Sequence, residues 1–248
     1  MSALQDRWIG LPGGRIHFFA NTSSNNAPNV VLVHGLVIAS TYMKPTAELL
    51  APFCHLLAPD LPGYGESFKP WPILDMKGLA NALAAWMDAL EIARAHLVGN
   101  SFGCQIIAEF ASHYPDRVGR LVLQGPTVDQ AARSVLRQIW RSILNAPNEE
   151  KSLGRISLQD YKAAGIRRVC ETYKLAFRDR IEEKLPRIHA PTLVVRGEKD
   201  PIVPQSWAEQ VTRLLPDGRL EVIPDAGHTI NYSAPQPFVE LIRRFLDL

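Results

Sequence analysis

Gly99-Asn100-Ser101-Phe102-Gly103 constrains this chain more than any other stretch. The spacing G-x-S-x-G marks a sharp turn from a strand into a helix, with the serine oxygen exposed at the carboxyl end of the strand. Three fixed positions in five residues arise by chance, so the flanks decide the matter. Ala95-His96-Leu97-Val98 reads as a short buried strand entering the turn. Phe102 to His113 reads as the helix leaving it: Ile106, Ile107 and Phe110 recur at helical spacing, and Pro115 ends the pattern. Such a turn strains the backbone at the serine and leaves no room for bulky neighbours, which accounts for Gly99 and Gly103.

A serine hydroxyl is a poor nucleophile near neutral pH and needs a base, itself held by a carboxylate. Thr192-Leu193-Val194-Val195 reads as a strand after Pro191 and runs into Arg196-Gly197-Glu198-Lys199-Asp200-Pro201, which puts Asp200 in a loop at a strand's carboxyl end. Leu220-Glu221-Val222-Ile223 is the next strand, and His228 follows it in the next such loop. Three groups from three strand ends converge only where those ends share one rim of a parallel sheet. Asp129, after the strand Leu121-Val122-Leu123, is the rival acid; Asp225 reads as shaping the turn at Gly227. Of the seven histidines, only His34 and His228 fall in loops on that rim, and His34 reads as a loop brace.

Val30 to Val33 is a continuous apolar run, as in a strand buried on both faces, and it ends in His34-Gly35-Leu36. With this run, Asp60-Leu61-Pro62-Gly63-Tyr64-Gly65-Glu66-Ser67, the Ser101 turn, Gly197 to Pro204 and Gly227-His228, nearly the whole chain resembles the α/β-hydrolase superfamily, in its lidded epoxide-hydrolase and esterase-like branch. The order Ser101, Asp200, His228 is that superfamily's order. The resemblance implies an oxyanion hole made by the backbone N–H groups of Leu36 and Phe102, each such donor worth ~10²–10³ in rate. Members that open epoxides or remove halide carry aspartate where this chain has Ser101, so the resemblance implies acyl transfer to water instead. Carbon–carbon bond hydrolases of the meta-cleavage type do use serine, and Gly99-Asn100-Ser101 is similar to theirs. Their glycine-rich oxyanion loop and the tryptophan after the histidine are replaced here by Leu36-Val37-Ile38 and Thr229.

Alternating strands and helices predict an α/β fold, a mostly parallel sheet with helices on both faces. The chain opens with a hairpin turning at Gly13-Gly14, followed by a polar spacer from Asn21 to Asn29. Met76, Leu79, Ala80, Leu83, Met87 and Leu90 keep helical spacing behind Asp75, a natural N-cap. From Thr127 to His189 the alternation stops and helical patterning takes over. The expected division is therefore a core of residues 1–126 and 190–248 with a helical cap at 127–189. Helices are expected from Val135 to Leu144, Gln159 to Val169 and Glu171 to Lys184. The first carries an apolar stripe in which Ile139 and Trp140 are the candidate pocket walls. The cap holds 13 Lys and Arg against 8 Asp and Glu, which raises the question of an anionic substrate drawn to Arg133, Arg137 or Arg167; charge on amphipathic helices is more often a solvated face.

The 248 residues, 46% hydrophobic and 21% charged, suit a globular enzyme, and a net charge of +2 gives no case for nucleic acid. No run reaches the ~18 apolar residues of a membrane span. Met1 to Gly10 carries Asp6 and Arg7 without the apolar core of a secretory leader, and Cys54, Cys104 and Cys170 form no metal-type pair. The expectation is a cytoplasmic monomer or homodimer acting on a small molecule: a serine hydrolase of a small to medium carboxylic ester, thioester or lactone. Ser101 would form the acyl-enzyme, His228 move the proton and Asp200 orient the imidazole, with no metal or organic cofactor required. The alternatives are the carbon–carbon bond hydrolase and a ligand receptor built on the same fold.

Overall fold

Period-two alternation along the central strands sends neighbouring side chains to opposite faces, and two helical layers collect them. In the computed structural model, which describes residues 4–22 and 27–248, the strands are β1 (Gln5–Leu11), β2 (Gly14–Ala20), β3 (Asn29–Val33), β4 (His55–Pro59), β5 (Ala95–Asn100), β6 (Val118–Gln124), β7 (Thr192–Gly197) and β8 (Gly218–Ile223). The helices are α1 (Lys44–Leu50), α2 (Met76–Ala89), α3 (Phe102–His113), α4 (Val135–Asn145), α5 (Lys151–Ala164), α6 (Ile166–Arg178), α7 (Ile181–Lys184), α8 (Gln205–Leu214), α9 (Ile230–Ser233) and α10 (Pro235–Leu246).

The described strands form one sheet in the order β1-β2-β4-β3-β5-β6-β7-β8. The hairpin β1–β2 and the β2–β4 pair are antiparallel; from β4 through β8 every neighbour is parallel. Val31 and Val33 pack with Leu97 and Leu123 against α2, α3 and α8. Val30 and Leu32 pack with Val98 and Val122 against α1 and α10 on the opposite face. All four β3 valine and leucine side chains are fully buried, as their continuous run predicts. Asp75 caps α2 by accepting from Gly78 N at 2.7 Å, worth about 1 kcal/mol.

The parallel strands direct their carboxyl ends to one rim, from which the linkers after them rise. The linker after β3 is pinned from beneath by buried Asp60, whose carboxylate accepts from Ser40 N at 2.7 Å, Ser40 Oγ at 2.6 Å, Glu66 N at 3.0 Å and His17 Nδ1 at 2.8 Å. His34 is a brace as expected: its Nε2 accepts from Leu61 N at 3.0 Å, which leaves Nδ1 as the donor to Gly35 O at 3.0 Å. Burial holds its pKa below the ordinary range, so the ring is neutral.

Between β6 and β7 the chain is helical; the first expected helix appears as α4, one residue longer, while the other two differ. The helix drawn from Gln159 to Val169 is replaced by α5 and α6, because Gly165 adopts a positive φ and separates them; the helix drawn from Glu171 to Lys184 breaks at Asp179–Arg180. Part of the polar spacer (23–26) and the first three residues lie outside the described residues, as does the side chain of Val135 in the α4 stripe.

Two glycine substitutions separate packing from propensity. A Cβ on Gly103 would lie 2.4 Å from Val33 O, whereas one on exposed Gly154 in α5 meets nothing within 4 Å. Gly103→Ala is expected to destabilise the protein by at least ~2 kcal/mol. Gly154→Ala should stabilise it by about 0.5–1 kcal/mol. Urea unfolding of the two variants checks both signs.

Candidate active site

The turn at Ser101 is built by close backbone approach. Ser101 sits at φ 54°, ψ −114°, a conformation side chains rarely adopt and one that stores roughly 1–3 kcal/mol of strain. What holds it there is contact on both sides. Ser101 N donates to Gln124 O at 2.9 Å. Gly99 and Gly103 lie so near each other that a Cβ on Gly99 would meet the Gly103 carbonyl at 2.8 Å, while Gly103 rests on the Val33 and His34 carbonyls. Phe102 opens α3, so its N–H is among the first-turn amides that a helix leaves without an internal acceptor.

Asp200 and His228 meet as the sequence order implies. Asp200 Oδ2 lies 2.8 Å from His228 Nδ1. Its other oxygen accepts from Ile202 N at 2.8 Å and Val203 N at 3.1 Å, so the carboxylate is fixed in direction. A carboxylate at Nδ1 selects the tautomer with the proton on that nitrogen and leaves Nε2 as a proton acceptor. Burial opposes charge on the His228 ring, but the Asp200 charge, the hydrogen bond to it and the more distant Glu149 charge outweigh burial and hold the pKa above its ordinary 6.5. The rival acids are engaged elsewhere: Asp129 pairs with Arg141 at 2.7 Å, and Asp225 with Lys199 at 2.7 Å. Among the described contacts Ser101 and His228 share a cavity without a hydrogen bond between them; in sites awaiting substrate, such bonds tighten on binding.

Two chambers meet at Ser101 and His228. The smaller, about 120 Å³, is walled by Leu36, Phe102, Val128, Tyr173, Ala176 and Phe177, with Gln138 and Ser142 above. The larger, about 190 Å³, includes Tyr42, Asn100, Asn145, Glu149, Ser157 and Tyr161. Leu36, Ser101, Ile202 and His228 border both. The structure corrects the expected pocket walls. Ile139 and Trp140 are 51% and 60% exposed and line neither chamber, because α4 turns its Gln138–Ser142 face to the site and its apolar stripe outward. The arginines of the segment between β6 and β7 are also drawn away: Arg133 pairs with Glu182 at 2.5 Å, and Arg167 stacks over Trp71 at 4.1 Å. Arg137 donates to Ala131 O.

A set of buried polar residues escaped sequence reasoning. Gly35 N donates to Tyr42 Oη at 2.7 Å, and Tyr42 Oη donates to Asn100 Oδ1 at 2.5 Å. Asn100 Nδ2 donates to Gln124 Oε1 at 2.7 Å, and Gln124 Nε2 to His228 O at 2.6 Å. Each donor serves the next acceptor, so one chain of bonds crosses the ends of β3, β5 and β6 to the histidine loop. Arg196 does similar work for the acid, donating to Asp200 O at 3.0 Å and Val203 O at 3.0 Å. Gly35 and Asn100 stand in the segments His34–Leu36 and Gly99–Gly103, but no motif marks Tyr42 or Gln124; the available signal was a polar residue ending the apolar strands β5 and β6. Cys104 stands beside the turn, but burial pushes its thiol well above its ordinary pKa, which makes it unreactive. Among the described residues no group of three or more His, Cys, Asp or Glu is arranged to hold a metal.

This architecture has known relatives. Residues 30–241 match the model of the alpha/beta hydrolase family, and the chain belongs to that family. It is 29% identical over 271 residues to the 2-hydroxy-6-oxo-6-phenylhexa-2,4-dienoate hydrolase of Burkholderia cepacia, covering 96% of this chain and 93% of that one. It is 28% identical over 243 residues to the 2-hydroxy-6-oxo-2,4-heptadienoate hydrolase of Pseudomonas putida, covering 88% of each. A solved structure of a thermophilic esterase from Thermogutta terrifontis superposes with a TM-score of 0.80 at 26% identity over 98% of both chains. By class, then, the protein is a hydrolase.

Because the charge of Asp200 and its hydrogen bond raise the His228 pKa against burial, Asp200→Asn should move the ring's titration downward. Imidazole NMR of labelled protein, with the His228→Gln variant to assign the signal, reads the shift.

Proposed function

We propose that this protein is a serine hydrolase of carboxylic esters, thioesters or lactones whose two halves are small and carry no anionic group. The observation that carries the reading is the pairing of Asp200 with His228 at 2.8 Å beside Ser101, at the junction of two chambers. His228 Nε2 takes the Ser101 proton as Oγ attacks the acyl carbon. The N–H groups of Leu36 and Phe102 receive the oxyanion. Asp200 stabilises the imidazolium, which then protonates the leaving group, and water attacks the acyl-enzyme by the same route. Residues 127–189 act as the cap over a core of 1–126 and 190–248.

A second reading, hydrolysis of a carbon–carbon bond, is favoured by the relatives named for dienoate substrates. A dienoate is a carboxylate, and burying a carboxylate costs most where no cation is present to pair with it. Supporting the ester reading, the described linings of both chambers contain no Arg or Lys, and their one carboxylate is Glu149. Reduced, unpaired cysteines are consistent with action in the cytoplasm. Among the described residues no helix is long and apolar enough to cross a membrane.

Short-chain p-nitrophenyl esters should be turned over many times per enzyme molecule; a single burst would indicate a receptor. Ser101→Ala should abolish turnover and labelling by a fluorophosphonate while the unfolding midpoint stays near that of the parent. A 2-hydroxy-6-oxo-dienoate cleaved faster than any ester would overturn the ester assignment. The base must be neutral to work, and its pKa lies above the ordinary value. Activity should therefore be lost as pH falls through a midpoint above 6.5, seen in kcat/KM against pH.

A further inference from the structure

The link between α4 and α5 makes a contact that covering a cavity does not require. Asn145, the last residue of α4, accepts from His228 N at 3.2 Å through its Oδ1 and donates to Glu149 Oε1 at 2.7 Å. Glu149 Oε1 also accepts from Thr229 N at 2.8 Å, and Glu149 Oε2 accepts from Thr229 Oγ1. Two successive backbone amides, those of His228 and Thr229, are thus held by one pair of side chains about 80 residues away. Asn148 adds a bond from the same link to Lys199 O at 3.2 Å, next to Asp200. Asn145 and Glu149 border the larger chamber together with His228.

A carboxylate placed this deep is costly unless its charge or its hydrogen bonds are used. The bonds from Asn145 and Thr229 occupy both Glu149 oxygens, and the same carboxylate places a negative charge near the His228 ring. The charged groups acting on the His228 ring are Asp200, from the loop after β7, and Glu149, from the cap link. Tyr42, from the linker after β3, faces Glu149 across the chamber. Burial raises the Glu149 pKa against its bonds to Asn145 and Thr229 and the His228 charge.

We infer that Glu149, together with Asn145, is a positioning residue for the base: the cap link fixes the His228–Thr229 backbone and adds a second carboxylate to the field that stabilises the imidazolium. The inference rests on the proposed acyl-transfer reading and makes the cap part of the catalytic geometry as well as a cover. Asp200 sets the tautomer; Glu149 sets the loop and adds to the ring's basicity.

Glu149→Gln keeps the size and one oxygen acceptor while removing the charge; Glu149→Ala and Asn145→Ala remove the bonds. With p-nitrophenyl butyrate, Glu149→Gln should lower kcat by about tenfold with KM changed less than twofold. Its acid limb should move to lower pH, because losing a negative charge lowers the His228 pKa. The alanine variants should lose more. Exposed Glu150→Gln, one residue away, should match the parent. If Glu149→Gln keeps the parental kcat and pH profile, with or without a drop in Tm, the inference is overturned while the ester reading stands. If the parent itself turns over no ester, that reading fails instead, and the NMR titration of His228 decides: a downward shift in Glu149→Gln supports the positioning role and an unchanged midpoint overturns it.

Discussion

Gly103 lying against the carbonyls of Val33 and His34 is the contact on which the rest of the site depends. It lets α3 leave β5 directly over the end of β3. Only then does the Phe102 amide, at the start of α3, stand near the loop that carries Leu36. The positive φ of Ser101 is a consequence of that approach. Packing of α3 between the sheet and α2 sustains the strain, since Phe102, Ile106, Ile107 and Phe110 are all buried in one cluster. Stored strain at such a turn is tolerable where the surroundings over-determine it.

Across the rim the strand ends are tied by polar side chains rather than by apolar contact. Gly35, Tyr42, Asn100, Gln124 and the His228 carbonyl form an ordered series of hydrogen bonds, every member buried or nearly so. Such a series in a low dielectric is stiff when complete and costly when broken. It joins the loop after β3, the serine turn and the histidine loop, and so fixes their mutual distances. Arg196 and Asp60 anchor the outer loops in the same manner. The alternation of apolar strand and polar terminus is the sequence trace of this layer.

The helical segment between β6 and β7 shows how an amphipathic pattern can be read in the wrong sense. The apolar stripe of α4 was expected to wall the pocket, yet Leu136, Ile139, Trp140, Ile143 and Leu144 are exposed, and Gln138 and Ser142 face the chamber. The walls come instead from α6, through Tyr173, Ala176 and Phe177. A hydrophobic periodicity says that a helix has two faces; it does not say which neighbour each face meets. The functional weight of Asn145 and Glu149 was equally hidden, because their partners lie 83 and 80 residues away.

The sequence by itself determined the strand–helix alternation, the serine turn and the loops that carry Asp200 and His228. Those features depend on neighbours a few residues apart: apolar period, glycine at a crowded turn, polar residues at strand ends. Tertiary structure alone decided which face of α4 looks inward, which side chains wall the chambers, and which cap residues hold the histidine loop. These depend on the docking angle of helices across a sheet rim, a property of many distant contacts at once, which no local spacing records.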